Sequence, residues 1–263
     1  LRDLANKYGH LMHLQLGEVP LIVISSPETA KEIMKTHDVN FAQRPSILIA
    51  NKYYGKDIAF GHYGDYWRML RKICNEELLS PKRVQSFRSI REEEVSNLIG
   101  YLHSKEGSPI NLSERLFSMT YVITARAAFG KKCKDQEAFI SAVSEILKIG
   151  AGFSASEVFP SQKWLQWISG LGPKLEKCVQ RIDQTLDNII DENNADKAAT
   201  SKAEKGEANC LLDVLINLQV KGELAFPLEI ENIKAVILDV FIAGSETSST
   251  VVEWAMLEML KSP

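Results

Sequence analysis

Apolar and polar residues alternate only near the front of the chain. Met12-His13-Leu14-Gln15-Leu16 and Leu21-Ile22-Val23-Ile24 are short β-prone runs, and Gly17-Glu18-Val19-Pro20 between them predicts a hairpin with a longer loop. Ser26-Pro27-Glu28 then signals a helix over about Pro27 to Thr36, with Ser26 as N-cap and Pro27 in the first turn. Beyond it, apolar residues return every three or four positions near 65–75, 82–103, 113–129, 135–149, 173–193, 210–220 and 228–261, the period of helices with one buried face. The pattern predicts a mainly α fold with a small β region near the N-terminus. From Asn193 to Asn209 no large apolar residue is available for burial, so 194–209 is expected to be a mobile surface loop within a single domain, residues 1–263. The helices on either side of that loop each need a partner face, and no turn-rich composition shift separates two cores.

The last long helix is the most informative. Its stripe runs Ile230, Ile233, Ile237, Val240, Gly244, Thr247, Val251 and Trp254, a spacing that keeps these positions on one face. Gly244 and Thr247 interrupt it. A helix-interior glycine costs about 1 kcal/mol relative to alanine, and a threonine there can donate back to the carbonyl four residues earlier, that of Ala243. Two such departures within one turn suggest a groove where a flat or bulky ligand approaches the backbone, with Thr247 and Glu246 bringing a hydroxyl and a carboxylate to it. Oxygen chemistry uses both groups. The plainer reading is that small residues let another helix pack closely and that Glu246 is solvated.

Composition narrows the class. Apolar residues make up 45% and charged residues 25% of the 263, which argues against disorder, collagen-like repeats and a disulfide scaffold. A net charge of -3 and a pI near 6.0 give no basic field for nucleic acid, so no nucleic-acid partner is expected. Cys74, Cys133, Cys178 and Cys210 lack metal-ligand spacing and read as small buried hydrophobes or inert thiols. His10, His13, His37, His62 and His103 are scattered likewise. Asn111-Leu112-Ser113 is a glycosylation triplet that matters only in a secretory lumen. The apolar run Ala235–Ala243 is broken by Asp239 and falls short of the roughly 18 residues of a span, so no membrane helix is expected, and no signal peptide is visible. An opening at Leu1 and a stop at Pro263 just after a strong helix suggest truncation at both ends.

Ala243-Gly244-Ser245-Glu246-Thr247-Ser248 resembles the mid-helix oxygen-binding motif of the cytochrome P450 family, small-Gly-x-acid-Thr-Thr/Ser. Tyr63-Gly64-Asp65-Tyr66-Trp67-Arg68-Met69-Leu70-Arg71-Lys72 resembles that family's Trp-x-x-x-Arg helix, with Trp67 and Arg71 one turn apart. An indole N–H and a guanidinium pointing the same way can donate together to a carboxylate, and a haem propionate would suit them. Alone, such a helix is more simply read as amphipathic with solvated charges. Phe41-Ala42-Gln43-Arg44-Pro45, Asp57-Ile58-Ala59-Phe60 and Phe226-Pro227-Leu228 followed by Asn232-Ile233-Lys234-Ala235 are similar to segments of plant microsomal members related to terpenoid hydroxylases.

The resemblance implies an incomplete cytochrome P450 fold that ends after the oxygen-binding helix. It implies a haem-thiolate monooxygenase carrying haem b, fed electrons from NADPH by NADPH-cytochrome P450 reductase, and acting with O2 on a hydrophobic small molecule, a terpenoid or otherwise a fatty acid. Thr247 and Glu246 would manage proton delivery; Trp67, Arg71, Ala243 and Gly244 would hold haem and open its groove. Ile58 and Phe60, in the loop from Ile47 to Phe60, and Val240 and Phe241 would wall the substrate pocket. The family's cysteine ligand lies downstream of the oxygen-binding helix, so this chain is expected to lack it and to be inactive alone. Plant members sit on the cytosolic face of the endoplasmic reticulum membrane through an N-terminal helix, expected upstream of Leu1. The patch Phe153, Val158, Phe159, Pro160, Trp164, Leu165 and Trp167 suits either a membrane interface or a core. A non-catalytic helical binding or scaffold protein is the reading from another class.

Overall fold

The structure is a computed structural model that describes residues 1–45, 50, 56–130, 136–150, 154–162, 164–199 and 210–262. The chain divides into two compact units, Leu1–Gly55 with Phe60–Tyr63 and Ala142–Gln180, and Lys56–Ala59 with Gly64–Ser141 and Arg181–Pro263.

In the first unit, α1 (Arg2–Tyr8) leads into the antiparallel hairpin β1 (Leu11–Leu16) and β2 (Val19–Ile24). The hairpin pairs Leu16 with Val19, so its loop is the two residues Gly17-Glu18 and not the longer one expected. Glycine at the first loop position, with φ 59°, suits such a tight turn. It is also required by contact, because a Cβ there would lie 2.6 Å from the Val158 carbonyl oxygen. Pro20 is tolerated because a two-stranded sheet has only edges. The helix signalled by Ser26-Pro27 forms as α2 (Pro27–Lys31), continued by a π turn, Glu32–Thr36, and the Ser26 hydroxyl accepts from the Thr29 N–H at 3.2 Å as the cap. The short helices α8 (Ala155–Val158) and α9 (Trp164–Ile168) were not legible as periodicity, since each is about one turn.

The second unit is helical among its described residues. Asp65–Ile73 forms α3, followed by a π turn, Cys74–Leu78; the helix expected over 82–103 is interrupted at Phe87 into α4 (Pro81–Ser86) and α5 (Arg88–Ser104). Next come α6 (Leu112–Phe129) and the start of α7 (Gln136–Gly150), which passes into the first unit at Ala142; α10 (Leu171–Ala199) enters the second unit at Arg181, and α11 (Leu211–Lys221) and α12 (Ile230–Lys261) complete it. Helix α10 runs to Ala199, six residues beyond the expected start of a loop after Asn193, and 200–209 lie outside the described residues. Asn111 of the glycosylation triplet is the N-cap of α6, its side chain accepting from the Glu114 N–H at 3.2 Å.

The core of this unit is α6 against α12. Tyr121, Phe139 and Phe241 are buried with their rings edge to face, Phe241 centred 4.5 Å from Tyr121 and 5.1 Å from Phe139. Farther along, Thr120 donates its hydroxyl to the Ser245 carbonyl at 2.9 Å, bridging the two helices. Arg126 on α6 reaches α5, donating to Glu94 at 2.6 Å and Glu93 at 2.7 Å; Glu94 is nearly fully buried, so the pair removes the cost of an isolated buried charge. Buried Lys234 pairs with Asp187 at 2.5 Å in the same way.

Against expectation, α12 is long and apolar enough to cross a membrane, with mean hydropathy 1.4 over 18 residues. Its first half, however, is a core helix, with Ile233, Val236, Ile237 and Phe241 buried.

Candidate functional site

Helix α12 presents two faces where the stripe reading allowed one. Ile237, Phe241, Ser245 and Ser249 form the buried i+4 row, while Ala243, Glu246, Thr247, Val251 and Trp254 are exposed. Phe241, expected in a pocket wall, therefore lies in the aromatic core, one position round the helix from partly exposed Val240.

The Thr247 hydroxyl donates to the Ala243 carbonyl, the back-bond anticipated for a mid-helix threonine. That bond uses the hydroxyl proton and leaves the oxygen able to accept from outside the helix. Glu246 stands exposed beside it. Gly244 is placed differently: a Cβ there would come within 3.3 Å of Thr124 Oγ1 and 3.6 Å of Thr124 Cγ2 on α6. The missing side chain at Gly244 thus permits close helix packing, and the neighbouring Ala243, Glu246 and Thr247 carry the open surface.

Trp67 on α3 is half-buried, and its indole N–H donates to the Ile58 carbonyl at 3.0 Å. The expected joint donation by Trp67 and Arg71 is thereby divided. Arg71 is exposed, makes no ion pair among the described residues, and holds its guanidinium carbon 5.9 Å from the Trp67 ring centre, a distance at which cation–π attraction is felt.

Ile58 joins the expected site to a residue that sequence reading had used only as a break in an apolar run. The Ile58 and Ala59 N–H groups donate to one carboxylate oxygen of Asp239, at 2.8 and 3.2 Å. Burial pushes the Asp239 carboxyl up to about 7, the nearby charge of Asp57 adds to the rise, and the two N–H bonds oppose it. A lone acid inside Ala235–Ala243 was the available signal. Burial likewise pushes the Cys74 thiol up to about 12, with the Asp239 charge adding and Arg71 opposing, so it stays a protonated thiol.

Phe60 belongs to the first unit and Ile58 to the second. Of the loop from Ile47 to Phe60, residues 47–49 and 51–55 lie outside the described residues, as does Cys133. Cys74, Cys178 and Cys210 are buried, and the Cys178 thiol donates to the Glu145 carboxylate at 3.1 Å. In the first unit Gln43 bonds the His62 ring and accepts from the Tyr63 N–H. Phe159 and Trp164 are exposed, while Phe153 and the Trp167 side chain lie outside the described residues.

The cytochrome P450 family model matches residues 1–263. Cytochrome P450 71D11 of Lotus japonicus is 52% identical over all of this chain and 54% of its own length. Amorpha-4,11-diene 12-monooxygenase of Artemisia annua is 47% identical, covering all of this chain and 52% of its own length. The chain spans about half the length of the curated relatives it matches. Among solved structures, a zebrafish cytochrome P450 with progesterone matches with a TM-score of 0.76 at 23% identity, covering 99% of this chain and 59% of that one, which shows the fold. A family match across the whole sequence, close plant relatives and the same helical architecture together show that this chain belongs to the cytochrome P450 family.

Proposed function

We propose that the full-length protein is a haem-thiolate monooxygenase that hydroxylates or epoxidises a hydrophobic small molecule of the terpenoid class. The observation that carries this reading is the exposed Ala243, Glu246 and Thr247 surface on α12, in a chain that matches the family throughout. The terpenoid class is supported by a relative whose name gives a diene as the molecule acted on and a monooxygenase as the enzyme.

Haem b is the group the family implies, and the chemistry of the residues fits it. Arg71 offers an exposed cation to a propionate, and Trp67 offers a second donor once its N–H is shared with or released from the Ile58 carbonyl. Haem, when bound, supplies the oxygen chemistry. In the overall reaction one atom of O2 enters the substrate and the other leaves as water, with two electrons and two protons taken up. Electrons would come from NADPH through NADPH-cytochrome P450 reductase. Thr247, its hydroxyl held to the Ala243 carbonyl, would accept a hydrogen bond from a water and fix its place, and Glu246 would load that water with the proton it delivers. Ile58 and Val240 would present apolar surface to the substrate.

The thiolate would come from outside residues 1–263, because the family's cysteine ligand lies downstream of the oxygen-binding helix and none of Cys74, Cys133, Cys178 and Cys210 stands in a segment resembling that ligand loop. Residues 1–263 would form part of one family domain on the cytosolic face of the endoplasmic reticulum, where exposed Phe159 and Trp164 suit the membrane interface. The test is the absorption spectrum of the reduced, carbon monoxide-bound full-length protein. A thiolate-type Soret band is expected, and its absence from a folded protein would refute the monooxygenase reading.

A further inference from the structure

The only acidic residue in the apolar run Ala235–Ala243 is Asp239, and the hydrogen bonds at its carboxylate join segments 180 residues apart in sequence. One oxygen, Oδ2, takes the N–H groups of Ile58 at 2.8 Å and Ala59 at 3.2 Å. The carbonyl of that same Ile58 takes the Trp67 indole N–H at 3.0 Å. A short piece of backbone is therefore fixed from both sides, to α12 by its donors and to α3 by its acceptor.

A half-buried carboxylate in an apolar run of a helix would ordinarily be replaced by an apolar residue, because its desolvation opposes folding. Here burial and the charge of Asp57 push Asp239 up to about 7, so the position carries an electrostatic strain that the two N–H bonds only partly offset. No other side chain in the run could accept from Ile58 and Ala59, since its remaining members are apolar. Without Asp239 the two donors would need water or a new loop path, and Ile58 would lose its fixed place.

We propose that Asp239 is a positioning residue, whose carboxylate seats the Ile58–Ala59 backbone on α12 and, through the Ile58 carbonyl, sets the direction of the Trp67 indole. That this seat shapes a substrate wall and a cofactor contact rests on the monooxygenase reading; the seat itself does not.

Hydrogen–deuterium exchange on the full-length protein reads the seat directly, because the bonded hydrogens are the backbone amides of Ile58 and Ala59. Asp239→Leu, of similar volume but without an acceptor, is expected to speed exchange in the peptide covering 57–60 by about 10–100-fold. Peptides within 116–129 and 230–238 are expected to exchange as in the parent. Asp239→Asn keeps an acceptor oxygen and is expected to stay within about threefold of the parent at 57–60. Should the leucine variant fail to fold, Asp239→Ser, smaller and unable to reach both donors, is expected to show the same local acceleration. Unchanged exchange at 57–60 in the leucine or serine variant overturns the proposal, as does an equal rise in the asparagine variant or an equal rise across 116–129. The local pattern in a protein without a thiolate-type spectrum would sink the monooxygenase reading and leave the role of Asp239 standing.

Discussion

Adding a side chain at Gly244 distinguishes a glycine that admits a ligand from one that admits a neighbouring helix. In Gly244→Val the new Cβ would sit 3.3 Å from Thr124 Oγ1 and 3.6 Å from Cγ2, with two further methyl groups beyond it. Thr124 cannot turn away freely, because its hydroxyl donates to the Thr120 carbonyl at 2.9 Å. Replacing glycine in a helix interior returns a few tenths of a kcal/mol for valine. Overpacking opposes this with about 1–3 kcal/mol, so a net loss of about 1–2 kcal/mol is expected. Thr124→Ala removes both atoms that the Cβ meets, so the double variant should recover about 1 kcal/mol relative to the sum of the singles. Denaturant unfolding of the parent, the two single variants and the double variant closes the cycle. Additivity within about 0.5 kcal/mol would show that Gly244 and Thr124 do not touch, and the packing role assigned to Gly244 would fall.

Thr247→Ala in the full-length enzyme is expected to lower product formed per electron consumed and to raise peroxide release, and unchanged coupling would remove Thr247 from proton delivery. Arg71→Ala is expected to lower haem content per polypeptide, measured by pyridine haemochrome; parent-like content would refute the propionate assignment. Asp239 gives a pH dependence of definite sign. Its folded value of about 7 exceeds its ordinary 3.8, so over that window the folded protein holds a proton that the unfolded chain has released, and stability falls as pH rises. Asp239→Asn, which mimics the protonated acid, should therefore gain on the parent by about 2–3 kcal/mol between pH 5 and 8, and a pH-independent difference in unfolding free energy would contradict the burial argument.

What periodicity and capping decide was legible in the sequence. Ser26 and Pro27 mark their helix start through local bonds and a fixed φ, so no distant residue is needed to read them. The family motifs were legible for the same reason, because Trp67 and Arg71, or Ala243 and Thr247, relate to each other along a single helix. Periodicity tells which side chains share a face but not what covers that face. Ile233 and Ile237 are buried while Val251 and Trp254 of the same stripe are exposed, and Phe241 faces the aromatic core where a pocket wall was expected. The two-residue turn depended on how Val19 and Pro20 pair with Leu16 and Gln15, a choice of register that composition does not specify. Only the tertiary structure decided that Gly244 meets Thr124, that the Trp67 N–H goes to Ile58, and that Asp239 serves two amides. Each of these depends on a partner remote in sequence or on the path of an irregular loop, and short-range physics favours a helix or a turn without choosing what will lie against it.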